Sequence, residues 1–595
     1  MDTHIFPNTI WRNLTPPEEH PGFRYEGHRP GDRVELPRGH VLRPGFGSFK
    51  VDVILDIDIS VTMRDGKKIY TNIYRPTRPD PERLPALIAW SPYGKCAGGT
   101  SPQNYDSMGP YRMGIPYQSL SGYETFEGPN PAEWCKRGYV VVDPDARGTC
   151  HSEGDINAWG QQEAIDIYDF IDWCSKQDWC NGSVVMFGNS WLAICQINHA
   201  TRCRHPALKA IAPWEAMTDP YQQVCCRGGV SNPKDSFGKI IVQGFSGMSK
   251  AEDIWSNVGP RPLYDDYWES KRIDVEKMDI PIYLTASYSS RLHLWGSFTT
   301  FGKAKSLNKW LRVHASQEWH DLYRREAMDD LQKFYDCFAK GKLDNGWMET
   351  PQLQLSLIAM YGSIARTIKE RPEAGSSFPL SRTKAVKYFL DASTMQLVAQ
   401  RPVNESRALY EAHSLTGQAV FTMKFNKYTE LSGFPWAKLY MSCREKDDMD
   451  INVIIRKIGI SGELLEHANY PMPVPIDKIP NSNVAKFQGP NGLLRASHRV
   501  SILPREHPDE PPRYSHRFYK KITPGSRVAL EIPIWPIGMV FEQGEGLALV
   551  VAGHDLRLPE VLNDDGDGEP SDLNVGRHEI HTGSQWDSFI EIPEI

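Results

Sequence analysis

The sequence predicts a mostly parallel α/β sheet with helices on both faces, followed by a second, all-β domain. Three observations carry this expectation. Between about residues 80 and 290, short apolar runs alternate with amphipathic helical stretches. One of those runs ends in Gly188-Asn189-Ser190 and passes directly into an apolar helical segment. After about residue 350 the texture becomes short strands broken by Gly and Pro turns, with hardly any helix.

The elements follow in order. Residues 1–50 are rich in Pro, Gly, His and Arg, show no helical or strand period, and read as an extended arm on the folded body. FKVDVILDIDISVTM (49–63) alternates apolar and polar residues as a half-buried strand does. The turn RDGKK and the strand KIYTNIYRP (68–76) complete a hairpin. LPALIAWSPY (84–93), GYVVVDPDARG (138–148), SVVMFGNS (183–190), LKAIAPWEA (208–216) and IPIYLTASY (280–288) read as buried parallel strands, and EAIDIYDFIDWCSKQ (163–177) as an amphipathic helix. Residues 220–275 are polar, aromatic and poorly periodic, as expected of an insertion between two sheet strands. The α/β domain is therefore placed at 51–350 and a β-sandwich at 351–595, from runs such as QLQLSLIAM (352–360) and LALVVAGHD (547–555).

Bulk composition narrows the function classes. A chain of 595 residues exceeds one core, and 40% hydrophobic with 24% charged residues is globular rather than disordered. The net charge of −7 comes without any basic block, so no nucleic-acid partner is expected. No apolar run is long enough to span a membrane, and the amino terminus lacks a basic start followed by an apolar stretch. The 11 cysteines are scattered without a CxxC, as in a reduced, cytoplasmic protein. A homo-oligomer is left open. No phosphate loop or dinucleotide fingerprint occurs, so no cofactor is expected. Asn563–Gly568 partly fits a calcium loop, but Asn574 stands where a bidentate glutamate belongs, and an acidic turn without metal is expected. His578 and His581 lack partners at metal-ligand spacing and read as loop residues.

The sharpest chemical signal is Gly182-Ser-Val-Val-Met-Phe-Gly-Asn-Ser190-Trp191-Leu-Ala193. A strand, a tight Gly-Asn-Ser turn and a helix form a nucleophile elbow, which projects the serine hydroxyl from the helix N-terminus. The Trp191 N–H then faces the place where negative charge develops in acyl transfer. Ser190 is the expected nucleophile of an α/β-hydrolase fold, although the last glycine of G-x-S-x-G is absent.

From about residue 50 onward the chain resembles the cocaine esterase and Xaa-Pro dipeptidyl-peptidase family of α/β-hydrolases. The resemblance rests on MRDGKKIYTNIYRP (63–76), SPYGK (91–95), DARGTCHSEG (145–154), WCNGSVVMFGNSWLA (179–193) and LLRASHR (493–499), in this order. It implies a hydrolase domain with a helical cap and a jelly-roll-like β-domain. It also implies that an aromatic residue after the serine is ordinary, and that the Tyr93 hydroxyl joins the Trp191 amide in an oxyanion hole.

A serine nucleophile needs a base, and the base an orienting acid. His320, after a tryptophan in LRVHASQEWHDLY (311–323), is the expected base, ahead of His314. The aspartate that the family places after the strand IPIYLTASY is missing, with Ser289 near its position. Glu215, at the end of the strand following the nucleophile strand, is the candidate replacement, while Asp219 matches a structural aspartate of the family. The expected function is a serine hydrolase cleaving an ester, lactone or amide of a small apolar molecule. Trp90, Tyr93, Trp191, Trp214, Tyr288 and Trp295 are candidates to line its pocket. The missing aspartate leaves two other readings open: an enzyme of this fold doing isomerisation, elimination or cyclisation, and a silent scaffold protein.

Overall fold

A computed structural model describes residues 6–21, 23, 27–77, 82–95, 105–106, 110–231, 244–505, 510–559 and 572–595. The calcium-like turn at 563–568 lies outside them. An 11-stranded sheet organises the first part of the chain. Its strands are β1 (Arg33–Leu36), β2 (Val53–Thr62), β3 (Lys68–Pro76), β4 (Leu84–Ile88), β5 (Val140–Pro144), β6 (Cys180–Asn189), β7 (Leu208–Trp214), β8 (Ile282–Ser287), β9 (Lys309–His314), β10 (Leu353–Leu357) and β11 (Ile368–Glu373). In space they run β11-β10-β9-β8-β7-β6-β4-β5-β3-β2-β1. The middle, from β5 to β10, is parallel throughout. The hairpin β2–β3 and the outer strands β1 and β11 add antiparallel flanks.

The parallel strands are apolar because helices cover them. β4 and β5 are buried along their whole length, so neither face can be polar. Among the described residues the helices are α1 (Pro131–Lys136), α2 (Gln161–Ser175), α3 (Trp191–Arg202), α4 (Asp266–Lys271), α5 (Leu294–Lys303), α6 (Glu318–Asp321) and α7 (Arg325–Ala339). α3 is buried over its first ten residues, from Trp191 to Ala200. It packs against β6, β7 and α2 rather than presenting a solvated face.

Two expectations are modified. The N-terminal arm is not strand-free: Trp11–Asn13 pairs with Lys250–Glu252, and β1 extends the sheet edge. The insertion between β7 and β8 carries the short helix α4 and, among the described residues, little other regular helix. Beyond residue 380, 13 strands form one hydrogen-bonded, almost wholly antiparallel network. That β-rich region docks at the end of β10, where the Ile358 N–H donates to Gly538 O at 2.9 Å. Among the described residues no helix is long and apolar enough to cross a membrane.

Candidate active site

Ser190 stands between β6 and α3 with φ 56° and ψ −119°. A non-glycine residue with positive φ carries strain of order 1–3 kcal/mol and persists where its surroundings over-determine it. They do so here. The Ser190 N–H donates to Trp214 O at 3.2 Å, and Ser190 O accepts from Ala193 N and Ile194 N, both at 2.9 Å. Gly188, at φ +148°, permits the tight turn, since a Cβ there would stand 2.4 Å from Leu192 Cβ. Trp191 opens α3, so its N–H belongs to the helix turn without intrahelical acceptors.

Tyr93, in the loop after β4, places its hydroxyl beside the Ser190 and Glu127 side chains, near enough to act on both. Burial holds the phenol well above its ordinary pKa, so it remains a neutral donor. Phe126 and Phe245 pack on the Tyr93 ring, and Phe245 also meets Trp191. The Trp191 indole donates to Glu163 Oε1 at 3.1 Å and lies 4.4 Å from the Trp159 ring.

Glu127 is a member of this site that the sequence reading missed. Its Oε1 accepts from Trp319 Nε1 at 2.7 Å and from Asn189 Nδ2 at 3.3 Å. Its main-chain oxygen accepts the Asn189 N–H at 3.1 Å. Burial pushes its carboxyl up to about 8. The available signal was an acidic residue in the apolar, turn-rich stretch FEGPNP (126–131) that leads into α1.

The expected pairing of Glu215 with His320 is corrected. Glu215 Oε1 meets His314 Nε2 at 3.0 Å, with both side chains buried. The other His314 nitrogen lies 3.2 Å from Ser316 Oγ and 3.7 Å from Asp321. Burial raises the Asp321 carboxyl, but His314, Arg312 and Arg324 outweigh it and hold the group well below the usual carboxylate range. His320 instead packs under Gly114, where a Cβ would stand 2.8 Å from His320 Nδ1. It lines an outward groove of about 520 Å³ with Asn130, Arg137 and Tyr323, and neither Ser190 nor Glu215 borders that groove. The cause is helical geometry. Trp319 must turn inward to reach Glu127, and the next position on α6 points about 100° away.

Near the position of the missing aspartate, Ser289 Oγ bonds Ser287 Oγ at 2.9 Å and donates to Gln317 Oε1 at 3.1 Å. A carboxylate and an imidazole nevertheless meet nearby, in the same two loops. His293, at the start of α5, lies 3.5 Å through Nε2 from Glu318 Oε2 of α6, and each side chain is 3% exposed. Neither ring nitrogen of His293 has a hydrogen-bond partner among the described residues. Burial pushes His293 down to about 3, so it is neutral at neutral pH. Glu318 is also close enough to Tyr93 to act on it electrostatically. Chain order hides the pair, because the imidazole follows the first strand and the carboxylate the second, the reverse of the acid-before-base order usual in this fold. Of the candidate lining aromatics, Trp90 and Trp214 are 1% exposed and fill the core. Trp295 borders a separate cavity of about 470 Å³ with Asp219, Arg227 and Trp535.

Residues 65–250 match the family described as X-Pro dipeptidyl-peptidase (S15 family), and residues 345–591 match its C-terminal non-catalytic domain. The cocaine esterase of Rhodococcus sp. is 33% identical over 165 residues, covering 28% of this chain and 24% of that protein. The chain thus spans about a quarter of the length of the curated relatives it matches there. A CocE/NonD family hydrolase from Staphylococcus aureus is 29% identical, with a TM-score of 0.82, covering 91% of this chain and 94% of the other. An α-amino acid ester hydrolase, at 15% identity and a TM-score of 0.65 over 93% of this chain and 98% of its own, shares the fold.

Proposed function

The chain belongs to the cocaine esterase and Xaa-Pro dipeptidyl-peptidase family of α/β-hydrolases, and from that premise we propose that it cleaves an ester, lactone or amide of a small apolar molecule through an acyl-enzyme on Ser190. The observation that carries this reading is the strained elbow: Ser190 at positive φ on a helix N-terminus, faced by the neutral Tyr93 hydroxyl.

In the proposed mechanism Ser190 Oγ attacks the acyl carbon while its proton passes to the neutral His293 imidazole. Glu318, 3.5 Å from that ring, stabilises the imidazolium once it forms. The Trp191 N–H and Tyr93 O–H stabilise the tetrahedral oxyanion. The imidazolium then protonates the departing alcohol or amine, and a water, deprotonated by the same imidazole, releases the acid and restores Ser190. An activated ester tests this directly. Wild type should release a burst of alcohol stoichiometric with enzyme, and Ser190→Ala none. Full turnover by Ser190→Ala would contradict the reading.

A further inference from the structure

Glu127 is a buried acid that the mechanism above does not use, yet it touches three parts of the site. Trp319 of α6, Asn189 beside the nucleophile and the Tyr93 hydroxyl all converge on its carboxyl group. Its backbone is fixed as well, at φ 64°, with its N–H donating to the Tyr105 hydroxyl at 3.3 Å. We propose that Glu127 is a positioning residue that sets the direction of the Tyr93 O–H bond, so that the oxyanion hole is complete only while Glu127 carries its proton. The proposal rests on the acyl-enzyme reading of Ser190.

The argument is one of donors and acceptors. Oε1 already accepts two N–H groups, so the proton of the neutral acid belongs on Oε2, which has no hydrogen-bond partner among the described residues. That O–H can donate to the Tyr93 oxygen, which leaves the single Tyr93 hydrogen for Ser190 and, in the reaction, for the oxyanion. Once ionised, the carboxylate can only accept. The Tyr93 hydrogen then turns to it, and the oxyanion keeps the Trp191 N–H alone.

The groups facing Glu127 leave its proton in place at neutral pH. From the loop after β4 comes Tyr93, from the segment before α1 Tyr105, from α6 Trp319, and from the turn after α6 Tyr323; Glu124 and Glu318 stand one step further out, beside those tyrosines. The tyrosines are held well above their ordinary pKa and stay neutral, burial raises Glu124, and none of these groups is a cation. Burial accordingly holds the Glu127 carboxyl at about 8.

The test is the rate constant for phosphonylation of Ser190 by a fluorophosphonate between about pH 6 and 10, in wild type, Glu127→Gln and Tyr93→Phe. Glutamine presents an N–H to Tyr93 at every pH. The ratio of wild type to Glu127→Gln should be flat below about pH 7 and fall about tenfold by pH 9, one unit past the titration. The ratio of wild type to Tyr93→Phe should fall over the same range, which keeps the test decisive if Glu127→Gln folds poorly. Ratios that stay flat to pH 10, with Ser190 phosphonylated, would overturn the proposal. Wild type that is never phosphonylated at Ser190 would remove the acyl-enzyme reading, and this proposal with it.

Discussion

Glu215 Oε1 and His314 Nε2 stand 3.0 Å apart beneath the nucleophile elbow, joining the ends of β7 and β9 across β8. Glu215 directly follows Trp214, whose carbonyl holds the Ser190 N–H, and itself sits at a strained φ of 58°. Both His314 nitrogens face polar partners, so the pair braces the elbow floor and has no nitrogen left for the Ser190 proton.

Glu215→Leu should therefore act on stability. Removing one partner of a buried hydrogen bond strands the other, typically at a cost of about 1–3 kcal/mol. Urea unfolding should show a loss of that order, while the folded fraction still reacts at Ser190. Unchanged stability with turnover reduced by orders of magnitude would make Glu215 the catalytic acid instead.

The two histidines should separate cleanly in kinetics. A positioned general base contributes roughly 10²–10⁴ in rate. His293→Gln should lower kcat on an activated ester by that order, and His320→Gln should leave kcat within about threefold of wild type. The reverse pattern would return the base to His320 and require α6 to rotate.

Tyr93→Phe should lower kcat about 10²–10³-fold with little change in KM, the usual effect of losing one oxyanion donor. An unchanged kcat would leave Tyr93 as a packing residue between Phe126 and Phe245.

Stability should peak near pH 6.5. Burial holds His199, His498 and His581 down to about 4, and His293, His516 and His578 to about 3, from an ordinary 6.5. The folded chain binds fewer protons there than the unfolded chain, so stability rises with pH up to about 6.5. Burial raises Glu127 and Glu163 from 4.5 to about 8, so the folded chain holds extra protons and stability falls as pH climbs through that window. Melting temperatures across pH 4–9 check the shape, and a steady rise to pH 9 would contradict it.

The sheet was legible because its strands are buried on both faces: runs such as VVVDP leave an apolar signal that needs no partner to be read. The elbow was legible because glycine, a strained apex and a helix start are adjacent in sequence. The proposed proton-transfer pair was not. His293 and Glu318 are far apart in the chain and meet through two loops, and side-chain direction on α6 depends on Trp319 reaching Glu127. The strand Arg33–Leu36 was missed for a related reason, since it pairs with β2 on an edge where no apolar period is required.

The most direct measurement is peptide mapping of wild-type protein after reaction with a fluorophosphonate at pH 7. The account predicts one phosphonyl adduct, on Ser190 in the peptide spanning FGNSWLA, lost in Ser190→Ala while that variant keeps the wild-type melting temperature. Rapid adduct formation at another residue, with Ser190 unmodified, would contradict it.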